Sequence, residues 1–306
     1  MKLVTFIGGS GFLGKSYLDA FNRDVLNEFK IRKLNLISRN IFKIKKTGLN
    51  LKKVKLIPGD ISTLKSIPRS DLIIYAAEPA NLDKIKDTGK FIRKSKRRID
   101  NFCKIIKSHK STKILYISSG AVYKFQKKDF GSQNSLSGKK LYAYLKLYSE
   151  DRIKNLQSFR IKTSIARCFT FVGPWLPRKS NFAIGNFIEN ILKGKKIHIK
   201  AKSKVYRSYM FSDDLAFWIT KICNKSNLKT SIFNVGSDQA IEIGALAKLF
   251  SKLFKVKIRR NKLKKNKTDK YIPNIYATKK KMGLKIKYNL KDSILLTINR
   301  INEKKN

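Results

Sequence analysis

The segment Gly8-Gly-Ser-Gly11-Phe-Leu-Gly14 limits what this chain can fold into more than any other stretch. It follows directly on a short apolar run, Leu3-Val-Thr-Phe-Ile7, and leads into residues 12–21, whose apolar side chains recur at helical spacing. Glycines three apart at a strand-to-helix junction have separate tasks. One permits the tight turn, one lets a bound group approach the backbone, and one lets the helix pack down on the strand. The helix N-terminus then presents N–H groups and the positive end of its dipole, which suits phosphate. Such a loop predicts a dinucleotide ligand, with Gly8, Gly11, Phe12, Leu13 and Gly14 as cofactor-binding residues.

The rest of the first half agrees with that reading. Apolar runs at residues 34–37, 54–57, 72–76 and 114–117 have the length and continuity of strands covered on both faces. Amphipathic pieces at 91–106 and 142–156 alternate with them, and 163–166 reads as a further core strand. This alternation predicts an α/β fold, a Rossmann-type doubly wound parallel sheet with a smaller C-terminal substrate-binding region. Beyond Gly173-Pro174 the elements shorten: a helix at 182–192, a strand at 196–199, a helix at 214–223, and a strand at 233–235 placed to return to the main sheet. A helix at 245–255 is followed by what reads as a very basic loop. The expected division is a cofactor domain over residues 1–170 and a substrate-binding region over 171–306, with a segment near 205–236 returning to the main domain.

Cofactor choice turns on the end of the second strand. In NAD-preferring sites an acidic residue about 20 positions after the glycines holds the adenosine ribose. Here the strand ends in Ile37-Ser38-Arg39-Asn40. A small hydroxyl followed by a guanidinium suits the extra phosphate of NADP, so NADP is preferred over NAD, with Ser38 and Arg39 as its readers. Asp60, after the third strand, is placed to reach the adenine or to act as a turn aspartate. Ala76 and Ala77, at the end of the fourth strand, complete the cofactor lining.

Composition excludes several other classes. The 70 Lys and Arg against 20 Asp and Glu give a formal charge of +50, yet a hydrophobic fraction of 42% and an aromatic fraction of 11% belong to a folded chain. The basic pairs recur along the whole sequence, whereas a dedicated polyanion binder concentrates them on one element, so no specific nucleic-acid partner is expected. Cys103, Cys168 and Cys223 are odd in number and lack CxxC spacing, and the two histidines, His109 and His198, have no ligand-spaced partners. Neither disulfide nor metal is suggested. No stretch reaches the roughly 18 apolar residues of a membrane span. Nor does the N-terminal run have the length or flanks of a signal peptide, which makes the cytoplasm the expected compartment.

Tyr142-Ala-Tyr-Leu-Lys146 places a phenol and an ammonium four residues apart on one helix face. The ammonium favours phenolate, which brings a group with an ordinary pKa of about 10 toward service as a general base. Upstream, Ile114-Leu-Tyr-Ile-Ser118-Ser119 puts hydroxyls at the C-terminal end of a sheet strand, where ligands of open α/β sheets bind.

In this order, GxxGxxG, Ser-Ser after a strand, then YxxxK, the sequence resembles the extended short-chain dehydrogenase/reductases, the NAD-dependent epimerase/dehydratase family that modifies nucleotide sugars. The resemblance continues in Ala166-Arg-Cys-Phe-Thr-Phe-Val-Gly173-Pro174, Phe182-Ala-Ile-Gly-Asn-Phe187, Tyr206-Arg207-Ser-Tyr-Met-Phe-Ser-Asp213-Asp214 and Phe233-Asn234-Val-Gly236-Ser237. It implies Ser119, Tyr142 and Lys146 as the catalytic set, with Lys146 also on the nicotinamide ribose. Arg207 matches the family arginine that meets the substrate diphosphate, and Asn181 or Asn186 falls near the substrate. Asp213 and Asp214 read as helix caps. The implied activity is that of a nucleotide-diphosphate-sugar epimerase or 4-ketosugar reductase, in surface-polysaccharide precursor synthesis, acting as a homodimer.

The sequence also departs from the family pattern. Lys124 stands where glycine is usual after Val-Tyr, and Lys200-Ala-Lys-Ser-Lys204 replaces a glycine-rich turn. A sugar 4,6-dehydratase would carry an Asp-Glu pair where this chain has Gly120-Ala121, so elimination is the alternative, together with a non-catalytic Rossmann-fold binding protein.

Overall fold

The computed structural model describes residues 2–78, 82, 85, 87–109, 111–125, 136–178, 182–261 and 268–303. The chain divides into two compact units, Met1–Cys168 with Ala216–Asn234, and Phe169–Leu215 with Val235–Asn306.

In the first unit, strands β1 (Lys2–Ile7), β2 (Ile31–Ser38), β3 (Val54–Pro58), β4 (Leu72–Tyr75), β5 (Thr112–Ser119) and β6 (Ile161–Cys168) alternate with α1 (Phe12–Asn22), the single turn α2 (Phe42–Lys45), α3 (Thr88–Ile106) and α4 (Gly138–Lys154). The described strands form a seven-stranded sheet of order β11-β6-β5-β4-β1-β2-β3, whose edge strand β11 (Ser231–Val235) comes from the 233–235 run. Neighbours from β3 to β6 are paired in parallel. Strand order reverses at β1, which lies between β2 and β4, so the loops after β1 and β4 diverge at the carboxyl ends. Ligands of open α/β sheets seat in the crevice this makes.

The strands form because both faces are covered. On one face Ile73, Tyr75, Ile114 and Tyr116 meet Ile99, Phe102 and Ile106 of α3, with the Tyr75 and Phe102 rings 4.8 Å apart. Phe6 lies 5.1 Å from the Tyr17 ring of α1. Fully burying a side chain such as Phe6 or Phe102 contributes about 1.5–3 kcal/mol.

The second unit begins with β7 (Phe171–Val172), α5 (Ala183–Leu192), β8 (Ile197–Ile199), β9 (Lys204–Arg207) and β10 (Met210–Phe211), and α6 (Ser212–Asn224) starts at its border. It continues with β12 (Ile241–Glu242), α7 (Ile243–Phe254), β13 (Ile258–Arg260), β14 (Thr268–Tyr271), α8 (Tyr276–Met282) and α9 (Leu290–Asn302). Its described strands make three small sheets, β10-β7, β12-β9-β14 and β13-β8. The basic loop expected after residue 255 is therefore wrong for most of its length. In α9, Ser293, Ile294, Thr297, Ile298 and Ile301 are buried, which is a helical stripe that the surrounding lysines obscure.

The expectation that Asp213 and Asp214 serve as helix caps also needs correcting. Both lie in the first turn of α6, where negative charge suits the dipole, but their carboxylates are spent on the C-terminal segment. Asp213 takes both arms of the Arg300 fork at 3.0 Å. Asp214 accepts the backbone N–H groups of Lys287 and Tyr288 at 3.1 Å. Burial lifts the Asp214 carboxyl to about 6 against the pull of those two N–H groups. Its unfolded value is about 4, so the fold binds the proton more tightly than the unfolded chain does. The resulting stabilisation is complete below about pH 4 and is lost as the pH rises through about 6. Between about pH 4 and about pH 6.5, the wild-type minus Asp214→Asn difference in unfolding free energy is expected to fall by about 2–3 kcal/mol, read from urea midpoints. A difference that stays flat over that range contradicts the buried-acid account.

Candidate active site

The loop after β1 is shaped by its outer glycines. Gly8 adopts φ +102°, and a Cβ there would lie 2.6 Å from the Ala76 carbonyl oxygen. A Cβ on Gly14 would lie 2.5 Å from Gly9 Cα, so any side chain at that position would push α1 off the strand. Gly11 differs. A methyl group there would meet nothing nearer than Gly8 O at 3.4 Å, so packing within the protein does not demand glycine. Gly11 instead lines an open groove together with Gly8, Ser10, Ser38, Arg39, Asp60, Ala76, Ala77, Glu78 and Arg98. It also caps α1 without contributing a side chain. The residues of this groove, with the α1 N-terminus opening on it, would fit the phosphates of a dinucleotide.

Where β2 meets the groove, the Ser38 hydroxyl donates to Ser10 Oγ at 2.6 Å and accepts from Asn40 N at 3.2 Å. Arg39 is largely exposed, with its guanidinium 3.9 Å from Asp60. Asp60 acts as the turn aspartate that its position suggests, and it also faces the groove. It takes the N–H and hydroxyl of Ser62 at 3.0 and 2.9 Å. Burial alone would raise its pKa, but the Ser62 hydrogen bonds and the Arg98 guanidinium at 3.5 Å hold it below the ordinary carboxylate range. Arg98, buried on α3, was not anticipated from the sequence, where it is one basic residue in the run 93–98.

Ser119 ends β5 and is buried, and its hydroxyl accepts the Ala121 N–H at 3.2 Å. Tyr142 and Lys146 lie one turn apart on α4, which packs against β5 and the turn that follows it. Lys146 is buried, and its Nζ lies 5.7 Å from the Tyr142 ring centroid and 5.1 Å from that of Tyr116. Nζ donates to Ile117 O at 2.7 Å, which ties it to the strand two residues before Ser119. Burial works against the ammonium, but Glu78 and Tyr142 overcome it and raise its pKa above the ordinary value. The Glu78 carboxylate, 2.7 Å from Nζ, was missed. Its signal in the sequence was an acid directly after Ala76-Ala77, at the carboxyl end of a core strand, in a chain with few acids.

Behind this constellation lies a second pair the sequence did not disclose. Glu150, one turn after Lys146 and fully buried, receives Nε and Nη2 of Arg167 at 3.0 and 2.7 Å and the Ser118 hydroxyl at 2.5 Å. The Arg167 guanidinium also lies 4.6 Å from the Tyr123 ring, and the Tyr123 hydroxyl donates to Asn234 Oδ1 at 2.8 Å.

In the second unit, Arg207 ends β9 and its Nη2 meets the Asp269 carboxylate of β14 at 2.7 Å. Asn181 lies outside the described residues, and Asn186 sits in α5.

The sheet order and glycine cradle, with the serine, tyrosine and lysine positions beside them, define a Rossmann-type fold of the extended short-chain dehydrogenase/reductase class. Residues 4–236 match the NAD dependent epimerase/dehydratase family, and the chain belongs to that family. The chain is 24% identical over 283 residues to UDP-glucuronate 4-epimerase 2 of Arabidopsis thaliana, with 84% of this chain aligned, and it spans 61% of that relative's length. Among solved structures, the Bordetella bronchiseptica enzyme WbmF in complex with NAD+ and UDP superposes with a TM-score of 0.78 at 15% identity, covering 99% of this chain and 92% of the other. UDP-N-acetylglucosamine 4-epimerase from Methanobrevibacter ruminantium, in complex with UDP-N-acetylmuramic acid, gives 0.77 at 18% identity, with coverage of 100% and 99%. The dTDP-glucose 4,6-dehydratase of Bacillus anthracis in complex with NAD gives 0.74 at 16%, with coverage of 99% and 97%. At these identities the structural likenesses establish the fold.

Proposed function

We propose that the protein is an NAD(P)-dependent enzyme acting on one carbon of the sugar in a nucleotide-diphosphate sugar, as an epimerase or a 4-ketosugar reductase. The observation that carries this reading is the buried Lys146 beside the Tyr142 ring, tied to β5 two residues before Ser119. Both lie at the sheet end where the glycine cradle opens. Tyr142, as phenolate, removes the proton of a sugar hydroxyl. Ser119 orients that hydroxyl by hydrogen bonding, and Lys146 stabilises the phenolate. A nicotinamide dinucleotide held by Gly8, Gly11, Ser38 and Arg39 would supply the hydride acceptor and donor for the carbon. Arg207 offers a charge-assisted fork to the substrate diphosphate once Asp269 releases it. Gly120-Ala121 provides no acid–base pair for loss of water, which speaks against elimination.

NADP is the proposed preference. Ser38 and Arg39 both line the groove where an extra ribose phosphate would sit, and Arg39 is exposed enough to turn toward it. Cytoplasmic action as a homodimer and a role in surface-polysaccharide precursor synthesis belong to the same proposal.

Incubation with a panel of nucleotide sugars and each of the two cofactors, followed by mass spectrometry with chromatography of the sugars, tests the reading. A changed sugar of equal mass, or one heavier by two hydrogens when a 4-ketosugar is supplied, is the expected product. Loss of water from the substrate would replace the proposal with elimination. Tighter binding of NADH than NADPH would remove the cofactor preference.

A further inference from the structure

Glu78 is a charge that the proposed chemistry does not use. It follows β4 by three residues, its side chain is 8% exposed, and its carboxylate is filled by donors. Lys146 Nζ and the Tyr116 hydroxyl both lie 2.7 Å from Oε2, and the Ser149 hydroxyl donates to Oε1 at 2.6 Å. Tyr142, Lys146 and Glu78 therefore form a row, with the ammonium next to both the ring and the carboxylate. An ammonium without a counter-ion holds a phenolate strongly, whereas one already matched by a carboxylate holds it less.

The other titratable groups around the row do not blur this picture. Burial and the Glu78 charge push the Tyr116 phenol of β5 and the Tyr75 phenol of β4 well above their ordinary values, so both stay neutral. The Cys168 thiol of β6 is pushed up to about 12 by burial, with Lys146 pulling the other way. Arg98, on α3, is committed to Asp60. Among the described residues, Lys146 and Glu78 are left as the ion pair beside Tyr142.

We propose that Glu78 is a positioning residue that sets the acidity of Tyr142 through Lys146. Its charge holds the ammonium on the inner face of α4 and keeps the tyrosine protonated to a higher pH than Lys146 alone would allow. The phenol can then give its proton back to a sugar oxygen as well as remove one, which a reaction reversible at one carbon requires. The inference rests on the proposed role of Tyr142, but it can be read in the free protein without turnover.

The test is a pH titration of phenolate ultraviolet absorbance. Subtracting Tyr142→Phe from wild type isolates Tyr142, and subtracting the double variant from Glu78→Gln isolates it in the neutral background. Glutamine keeps the shape and a hydrogen-bonding oxygen, so the midpoint is expected to fall by about one pH unit or more through loss of charge. Glu78→Asp draws the carboxylate back without removing it, and is expected to shift the midpoint the same way by a smaller amount. If Glu78→Gln does not fold, the aspartate variant carries the test. An unchanged or raised Tyr142 midpoint in whichever variant is titrated overturns the proposal, because a purely structural Glu78 would leave that midpoint in place. A lowered midpoint together with full turnover by Tyr142→Phe would uphold the Glu78 coupling and remove only the catalytic role of the tyrosine.

Discussion

If the proposed function holds, Tyr142→Phe is expected to bind a nicotinamide dinucleotide as tightly as the wild-type chain and to lose turnover on the proposed nucleotide-sugar substrate by about 10²- to 10⁴-fold, the range for a single acid–base group. The substitution removes one oxygen. The ring remains against Lys146 and half-buried against the core cluster around Leu141 and Leu145, so folding and the glycine groove are left as they were. Fluorescence titration of the reduced cofactor and a product assay on the same preparation separate the two effects. A variant that turns over as the wild type does sinks the assignment of the base. A variant that also loses the cofactor shows instead that the phenol holds the dinucleotide.

The largest expected effect on stability is at Glu150. Glu150→Ala leaves the Arg167 guanidinium, only 15% exposed, without its bidentate partner and takes away the acceptor of the Ser118 hydroxyl. Breaking a buried pair from one side costs about 3–5 kcal/mol, because the remaining charge stays desolvated. Urea unfolding should show that loss, and Arg167→Met added to Glu150→Ala should recover part of it by removing the stranded charge. A single variant within about 1 kcal/mol of wild type would place this pair among those that water screens. Because Glu150 holds Ser118 next to Ser119 and lies one turn from Lys146, the same variant should lose activity beyond its loss of folded protein.

Much of this was legible in the chain. Buried parallel strands are continuous apolar runs, and the runs at 34–37, 54–57, 72–76 and 114–117 lie within or overlap β2, β3, β4 and β5. The YxxxK spacing guarantees that Tyr142 and Lys146 share a helix face, whatever the helix packs on. The C-terminal helices were less legible, because the apolar stripe of α9 is short and begins among lysines, and local composition outweighed a periodicity of only a few residues.

Charge pairing was hidden for a different reason. Glu78 and Lys146 are distant along the chain, as are Asp60 and Arg98, or Asp213 and Arg300. In a sequence so rich in lysine and arginine, nothing local tells which few cations are withdrawn from water against which few carboxylates. Asp213 and Asp214 show the limit well: their place at the start of a helix was plain, but their use on Arg300 and the backbone of Lys287 and Tyr288 was not.

By itself the sequence determined the sheet, the glycine turn and the shared helix face of Tyr142 and Lys146, because these depend on side-chain period, backbone freedom and spacing within one element. Only the tertiary structure decided that the ammonium of Lys146 is matched by Glu78 and that Gly11 is the glycine the protein itself does not need. Both depend on what meets across separate strands and helices, and the Coulomb and contact energies that decide such meetings act over a few ångströms of space, whatever the distance along the chain.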